Sequence, residues 1–151
     1  MASPSKTERP ATYDDANLLL RLYELRREDK LRQARDWFNK NFHANNLEEL
    51  SKICPQGSQE HAYFRMVLGY WEMAASFVTS GVLQRELFMQ NSREMLFVWI
   101  RMSDVVPAMR EAQKNPDIAR NIEALANGMI EQEKQRGSYE TFRNMVRGAR
   151  P

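Results

Sequence analysis

From Thr12 onward the apolar residues of this sequence recur every three or four positions, and its breakers fall between those periodic segments rather than inside strand-like runs. That spacing matches the 3.6-residue turn of an α-helix and excludes most sheet architectures. The expected fold class is all-α, an irregular antiparallel helical bundle of five to seven helices. A chain of 151 residues can bury about two-thirds of its unfolded surface, so one core is expected. The domain is expected over residues 12–147, between a disordered N-terminal tail at 1–11 and a C-terminal tail at 148–151.

Local signals predict where the helices start and stop. Thr12 with Asp15 makes a box-like cap for a first helix that can run unbroken to Phe42. Asn46 with Glu49 repeats the device for a short helix ending near Ile53, where Pro55 and Gly57 enforce a turn. Ser58 starts the most apolar helix, which Gly81 terminates, and a short turn of helix follows over Leu83 to Met89. Ser92 caps the next helix, and Pro107 must kink or restart it. Asn115 and Pro116 read as cap and first position of a helix reaching about Gln135, and Gly137 and Ser138 introduce a last short one.

Charge and cysteine content exclude several classes of function. With 22 basic and 20 acidic side chains the chain is not globally basic, and nucleic acid is not an expected partner. Cys54 is the only cysteine, which rules out an internal disulfide and points to a reducing compartment, the cytoplasm. Residues 1–11 hold no apolar stretch, and the longest apolar run, Met66 to Val78, is interrupted by Gly69 and Glu72, so no transmembrane segment is expected.

Two helices carry the candidate sites. In the first, Leu19, Leu20, Tyr23, Leu31, Ala34, Trp37 and Phe38 project to one side and Leu18, Leu22 and Leu25 to another. The second stripe, Leu18, Leu22 and Leu25, either packs between neighbouring helices of a monomer or is a candidate subunit interface, and the second reading predicts a homo-oligomer or a protein partner. In the Ser58 helix, His61, Arg65, Glu72, Ser76 and Thr79 share a narrow polar arc opposite Phe64, Val67, Trp71, Ala74, Ala75 and Val78. A cation, a carboxylate and an imidazole on one rigid face, with His61, Arg65, Glu72 and Ser76 as candidate ligand-binding residues, can bind a polar ligand. The same arc also reads as a solvated edge or as ion pairs to another helix. Glu72 in particular is expected to find an arginine such as Arg101 or Arg110.

No other constellation carries chemistry. His43 and His61 lack the Glu-x-x-His spacing of a bundle metal site, and no cofactor or metal is expected. Met95, Met102 and Met109 repeat every seven residues, which places successive members about 10 Å apart on a helix and makes them core filler. Cys54 has no motif that would make it a nucleophile, and the chain has neither a phosphate-cradling glycine loop nor a serine elbow. The last helix sets Tyr139, Phe142, Met145 and Val146 beside Arg143, Arg147 and Arg150, an amphipathic basic element that could touch an anionic membrane surface or nucleic acid but more often docks by its apolar side.

The run Phe64-Arg65-Met66-Val67-Leu68-Gly69-Tyr70-Trp71-Glu72, followed by Gly81-Val82-Leu83, Glu86-Leu87-Phe88, Phe97-Val98-Trp99, Pro107 and Arg110, resembles an uncharacterised bacterial all-helical family, a domain of unknown function. The resemblance covers about Asn17 to Leu125 and implies a helical fold but no activity or catalytic residue. Some members of that family carry an N-terminal membrane segment, a pattern this sequence does not share. The resulting expectation is a non-catalytic helical interaction or regulatory module, and not an enzyme. A small-ligand-binding protein or enzyme using the Arg65 and Glu72 face is the alternative, and a peripheral binder using the basic last helix ranks third.

Overall fold

In the computed structural model, which describes residues 8–148, the long apolar segment after Ser58 becomes a helix that packs against three others along its length. The described residues form nine helices: α1 (Tyr13–Arg26), α2 (Asp29–Asn41), α3 (Leu47–Ile53), α4 (Gln59–Thr79), α5 (Arg85–Asn91), α6 (Arg93–Met102), α7 (Val106–Gln113), α8 (Arg120–Gln135) and α9 (Tyr139–Gly148). The all-α class holds, with more helices than the five to seven expected. Residues 1–7 and 149–151, parts of the two expected tails and Arg150 with them, lie outside the described residues.

Helix α4 packs chiefly against α2 on one side and α8 on the other. Its apolar arc is buried as the wheel predicts, through Phe64, Val67, Trp71, Ala74, Ala75 and Val78, joined by Tyr70. Ala74 and Ala75 have no exposed surface, and small side chains let a neighbouring backbone approach closely. Towards α2 the contact is aromatic. Phe42 stacks between Phe38 and Phe64, with ring centroids 4.5 and 4.9 Å away, the offset geometry that adds to simple area burial. Met95, Met102 and Met109 are all buried core residues.

The first helix does not run unbroken to Phe42. It stops at Arg26 and restarts at Asp29, although no glycine or proline stands between. Local and tertiary bonds make the break. Glu28 turns its side chain onto the Leu31 N–H at 3.0 Å, a cap for α2. The Arg26 carbonyl accepts from the Arg35 guanidinium at 2.8 Å, and the Leu22 carbonyl accepts from the Tyr70 hydroxyl at 2.7 Å. Arg35 also forks onto Glu94 of α6 at 2.9 and 2.7 Å, which fixes the corner against the body.

Most other boundaries follow the sequence. Thr12 and Asp15 form the reciprocal capping box, Asn46 caps α3, and Ser58 caps α4 by accepting from the His61 N–H at 3.1 Å. Gly81 terminates α4 in the left-handed region at φ +86°, where only glycine is unstrained. Pro107 sits in the first turn of α7, so the chain restarts there rather than kinks. Helix α8 departs from the expectation. It begins at Arg120, not after Asn115, and is preceded by Lys114 and Ala119, both with positive φ.

The segment before α1 is tied down. Asp15 is buried, and its carboxylate accepts both ends of the Arg9 guanidinium at 2.6 and 2.8 Å together with the Gln84 N–H at 2.9 Å. Glu8 accepts from the Arg85 N–H at 2.7 Å. Residues 8–11, assigned from sequence to a tail, are thereby pinned to the start of α5.

Candidate functional site

The polar arc of α4 divides into two halves with different surroundings. Its first half, His61 and Arg65, faces a cleft of about 650 Å³ walled by α3, α4 and α7. The floor is apolar: Phe64 and Met109 are buried, and Leu50, Leu68 and Ile118 are half-buried. The rim is polar, formed by His61, Arg65, Gln56, Gln113 and Ser51, with the exposed Leu47 at the mouth. A volume of this size falls in the range of small-molecule sites.

Cys54 lines the same cleft, so the fold does bring the thiol and His61 to one place. The thiol is not activated. It is buried, it donates to the Leu50 carbonyl at 3.3 Å, and desolvation, assisted by the Glu60 charge, pushes its pKa up to about 11. A nucleophilic cysteine needs the opposite shift.

The second half of the arc serves α8. Glu72 accepts from the Asn121 N–H at 2.5 Å and from the Ile122 N–H at 3.3 Å. These are unsatisfied amides at a helix start, where Ala119 occupies the cap position and has no side chain to bond them. Glu72 therefore caps α8 from another helix, and the expected arginine partner is corrected. Arg101 bonds instead to the carbonyls of Phe42 and Val146 at 2.7 and 2.8 Å. Arg110 bonds to the Ile118 carbonyl at 2.9 Å and contributes only its charge to Glu72. Burial raises the Glu72 pKa against the opposing pull of the α8 amides. Thr79 donates to Asn121 Oδ1 at 2.6 Å, and the Ser76 hydroxyl turns back to the Met73 carbonyl.

On α1 the stripe of Leu18, Leu22 and Leu25 is not one surface. Leu22 is buried in the chain's own core, Leu18 is half-buried against it, and Leu25 is exposed. The outward face instead presents Tyr13 and Leu20, 81% and 60% exposed, with the exposed Tyr23 on the same side, while Leu25 is exposed on another side of the helix. Shallow grooves flank it, one of about 270 Å³ lined by Leu19, Leu20, Tyr23, Arg26 and Asn91.

Helix α9 docks by Phe142 and Val146, which are buried. Arg147 lies 3.4 Å from Asp104 and Arg143 4.0 Å from Glu140, so acidic neighbours answer part of its basic charge. Among the described residues no group of three or more histidine, cysteine, aspartate or glutamate side chains could hold a metal ion. No helix among them is long and apolar enough to cross a membrane.

Fold and surface together define an all-helical domain with an apolar cleft on one side of its central helix and an apolar helix face on its outer wall. The chain belongs to the family described as a domain of unknown function, DUF4760, whose model matches residues 11–129. That match spans α1 to the middle of α8 and leaves α9 beyond it. No curated protein and no solved structure matches the chain.

Sequence reasoning missed the Glu72 cap and the buried Arg101. The cap carried no signal near Glu72, because the amides it serves lie 49 and 50 residues away. Arg101 had one: it stands among Val98, Trp99, Ile100 and Met102 in a helix buried almost all round, and a charge there must be bonded.

Proposed function

We propose that this domain is a non-catalytic interaction module of the cytoplasm that associates with a second copy of itself through the outward face of α1. The observation that carries this reading is the group of Tyr13, Leu20 and Tyr23 left exposed along one side of a single helix. Contiguous apolar surface rimmed by charge marks interaction sites. Asp14, Arg21 and Glu24, exposed on the same helix, have no ion-pair partner among the described residues. Charges of both signs along one face let that face complement itself across a two-fold axis. The inert Cys54 thiol supports the non-catalytic part of the reading.

Light scattering across micromolar concentrations tests it. Leu20→Glu should shift the oligomer to monomer and leave the chain folded with an unchanged helical circular dichroism spectrum, since Leu20 is surface in the isolated chain. Leu22, the candidate read from sequence, is unsuitable for this test because its substitution disturbs the core. A wild-type protein that stays monomeric overturns the reading.

A further inference from the structure

We infer that the cleft between α3, α4 and α7 is a binding site for a small amphiphile with one carboxylate head group and an apolar tail, the head held by Arg65 and His61. This cleft is separate from the α1 face, and it carries an unanswered charge. Arg65 makes no ion pair or hydrogen bond among the described residues, and no carboxylate lines the cleft, so its guanidinium stands uncompensated at the rim. His61 lies one helical turn away on the same face of α4, and no side-chain hydrogen bond engages its imidazole either. A guanidinium offers two parallel donors that match a carboxylate, and an imidazole one turn along adds a third.

Below the rim the chemistry changes. Phe64, Met109 and Leu68 present a floor without charge, and the neighbouring Cys54 thiol is neutral and already bonded within its own helix end. An inorganic anion would leave that floor bare, and a hydrocarbon would leave Arg65 unanswered. A molecule with an anionic head and an apolar body satisfies both, and the cleft volume of about 650 Å³ accommodates one.

Octanoate and octan-1-ol are the probes, titrated into the full-length protein and followed by the side-chain amide NMR signals of Gln56 and Gln113 on the rim. Octanoate should shift both signals with half-saturation on the order of 1 mM, the range for so small a ligand. Arg65→Gln, at an exposed position that does not endanger the fold, should weaken octanoate about tenfold and leave octan-1-ol unchanged. Leu68→Trp, which fills the cleft, should remove both. The inference is overturned if neither amide responds, if Arg65→Gln leaves octanoate binding intact, or if the responding amides are Asn17 and Asn91 beside α1.

Discussion

The carboxylate of Glu72 and the backbone N–H of Asn121, 49 residues apart, are joined at 2.5 Å, so the first turn of α8 is completed by a side chain of α4. The bond adds a directional contact to the α4–α8 packing and sets where α8 begins.

Removing that cap should cost stability without changing the fold. Glu72→Ala strips the acceptor from two helix-start amides, and about 1–3 kcal/mol should be lost in denaturant unfolding. Glu72→Gln keeps one oxygen to receive the amides and should lose clearly less. Equal losses for the two variants would show that the carbonyl-type acceptor is not what matters, and an unchanged midpoint for Glu72→Ala would remove the capping role altogether.

Acid should unfold this protein partly through Asp15. The Arg9 guanidinium and the Thr12 and Gln84 N–H groups hold its carboxyl well below the ordinary aspartate value. A group lowered in the fold contributes stability above its unfolded value, about pH 3.9, and loses that contribution as pH falls further. Unfolding midpoints measured from mildly acidic to strongly acidic buffer should therefore fall more steeply for the native sequence than for Asp15→Asn. Glu72, raised by burial, works in the opposite direction: its contribution is largest when protonated and declines as pH rises past the ordinary glutamate value. Parallel curves for native protein and Asp15→Asn would contradict the assignment.

Arg101→Lys should be poorly tolerated despite the conserved charge. The guanidinium spans the Phe42 and Val146 carbonyls, at the end of α2 and in α9, from within the core. An ammonium is a compact point charge without that fork, so at least one buried carbonyl loses its donor, a loss of about 1–3 kcal/mol. Thermal or urea unfolding reports it, and a midpoint equal to that of the native protein would mean that lysine reaches both carbonyls.

Gly69→Ala should make the domain more stable. Gly69 is in the middle of α4, its backbone is not left-handed, and an added Cβ would meet nothing within 4 Å. The exchange therefore gains helix propensity with no steric cost, about 0.5–1 kcal/mol. If stability rises but self-association is lost, the open space over Gly69 is filled by a second chain and the interface is not confined to α1. A fall in stability would mean that the added methyl group meets an obstacle at Gly69.

How much could be read in advance depended on how far each structural cause lay along the chain. The Thr12–Asp15 box, the Asn46 and Ser58 caps, Gly81 and Pro107 act within one turn of themselves, and each held its expected place. The break after Arg26 was hidden because, apart from the local Glu28 cap, the groups that stabilise it, Tyr70, Arg35 and Glu94, come from α4, α2 and α6. The start of α8 was misplaced for the same reason: Asn115 and Pro116 carry the local signal, whereas Glu72 supplies the bond. In the candidate site, the four-residue spacing put His61 and Arg65 on one face, but the walls of α3 and α7 that make a cleft of that face came only with the fold. The Leu22 stripe shows the limit from the other side, since a wheel gives the direction of a side chain and not what covers it.

The clamp at Asp15 gives the domain a mechanical polarity. Arg9 grips Asp15 with two bonds and reaches the Val82 carbonyl at 3.3 Å, while the N–H groups of Gln84 and Arg85 hold Asp15 and Glu8. Tension drawn along the backbone from the N-terminal side thus meets a set of bonds loaded together before it can peel α1 from the bundle. In a pulling experiment this end should resist as a single brittle unit, and Arg9→Ala should convert it to gradual yielding from Tyr13 inward.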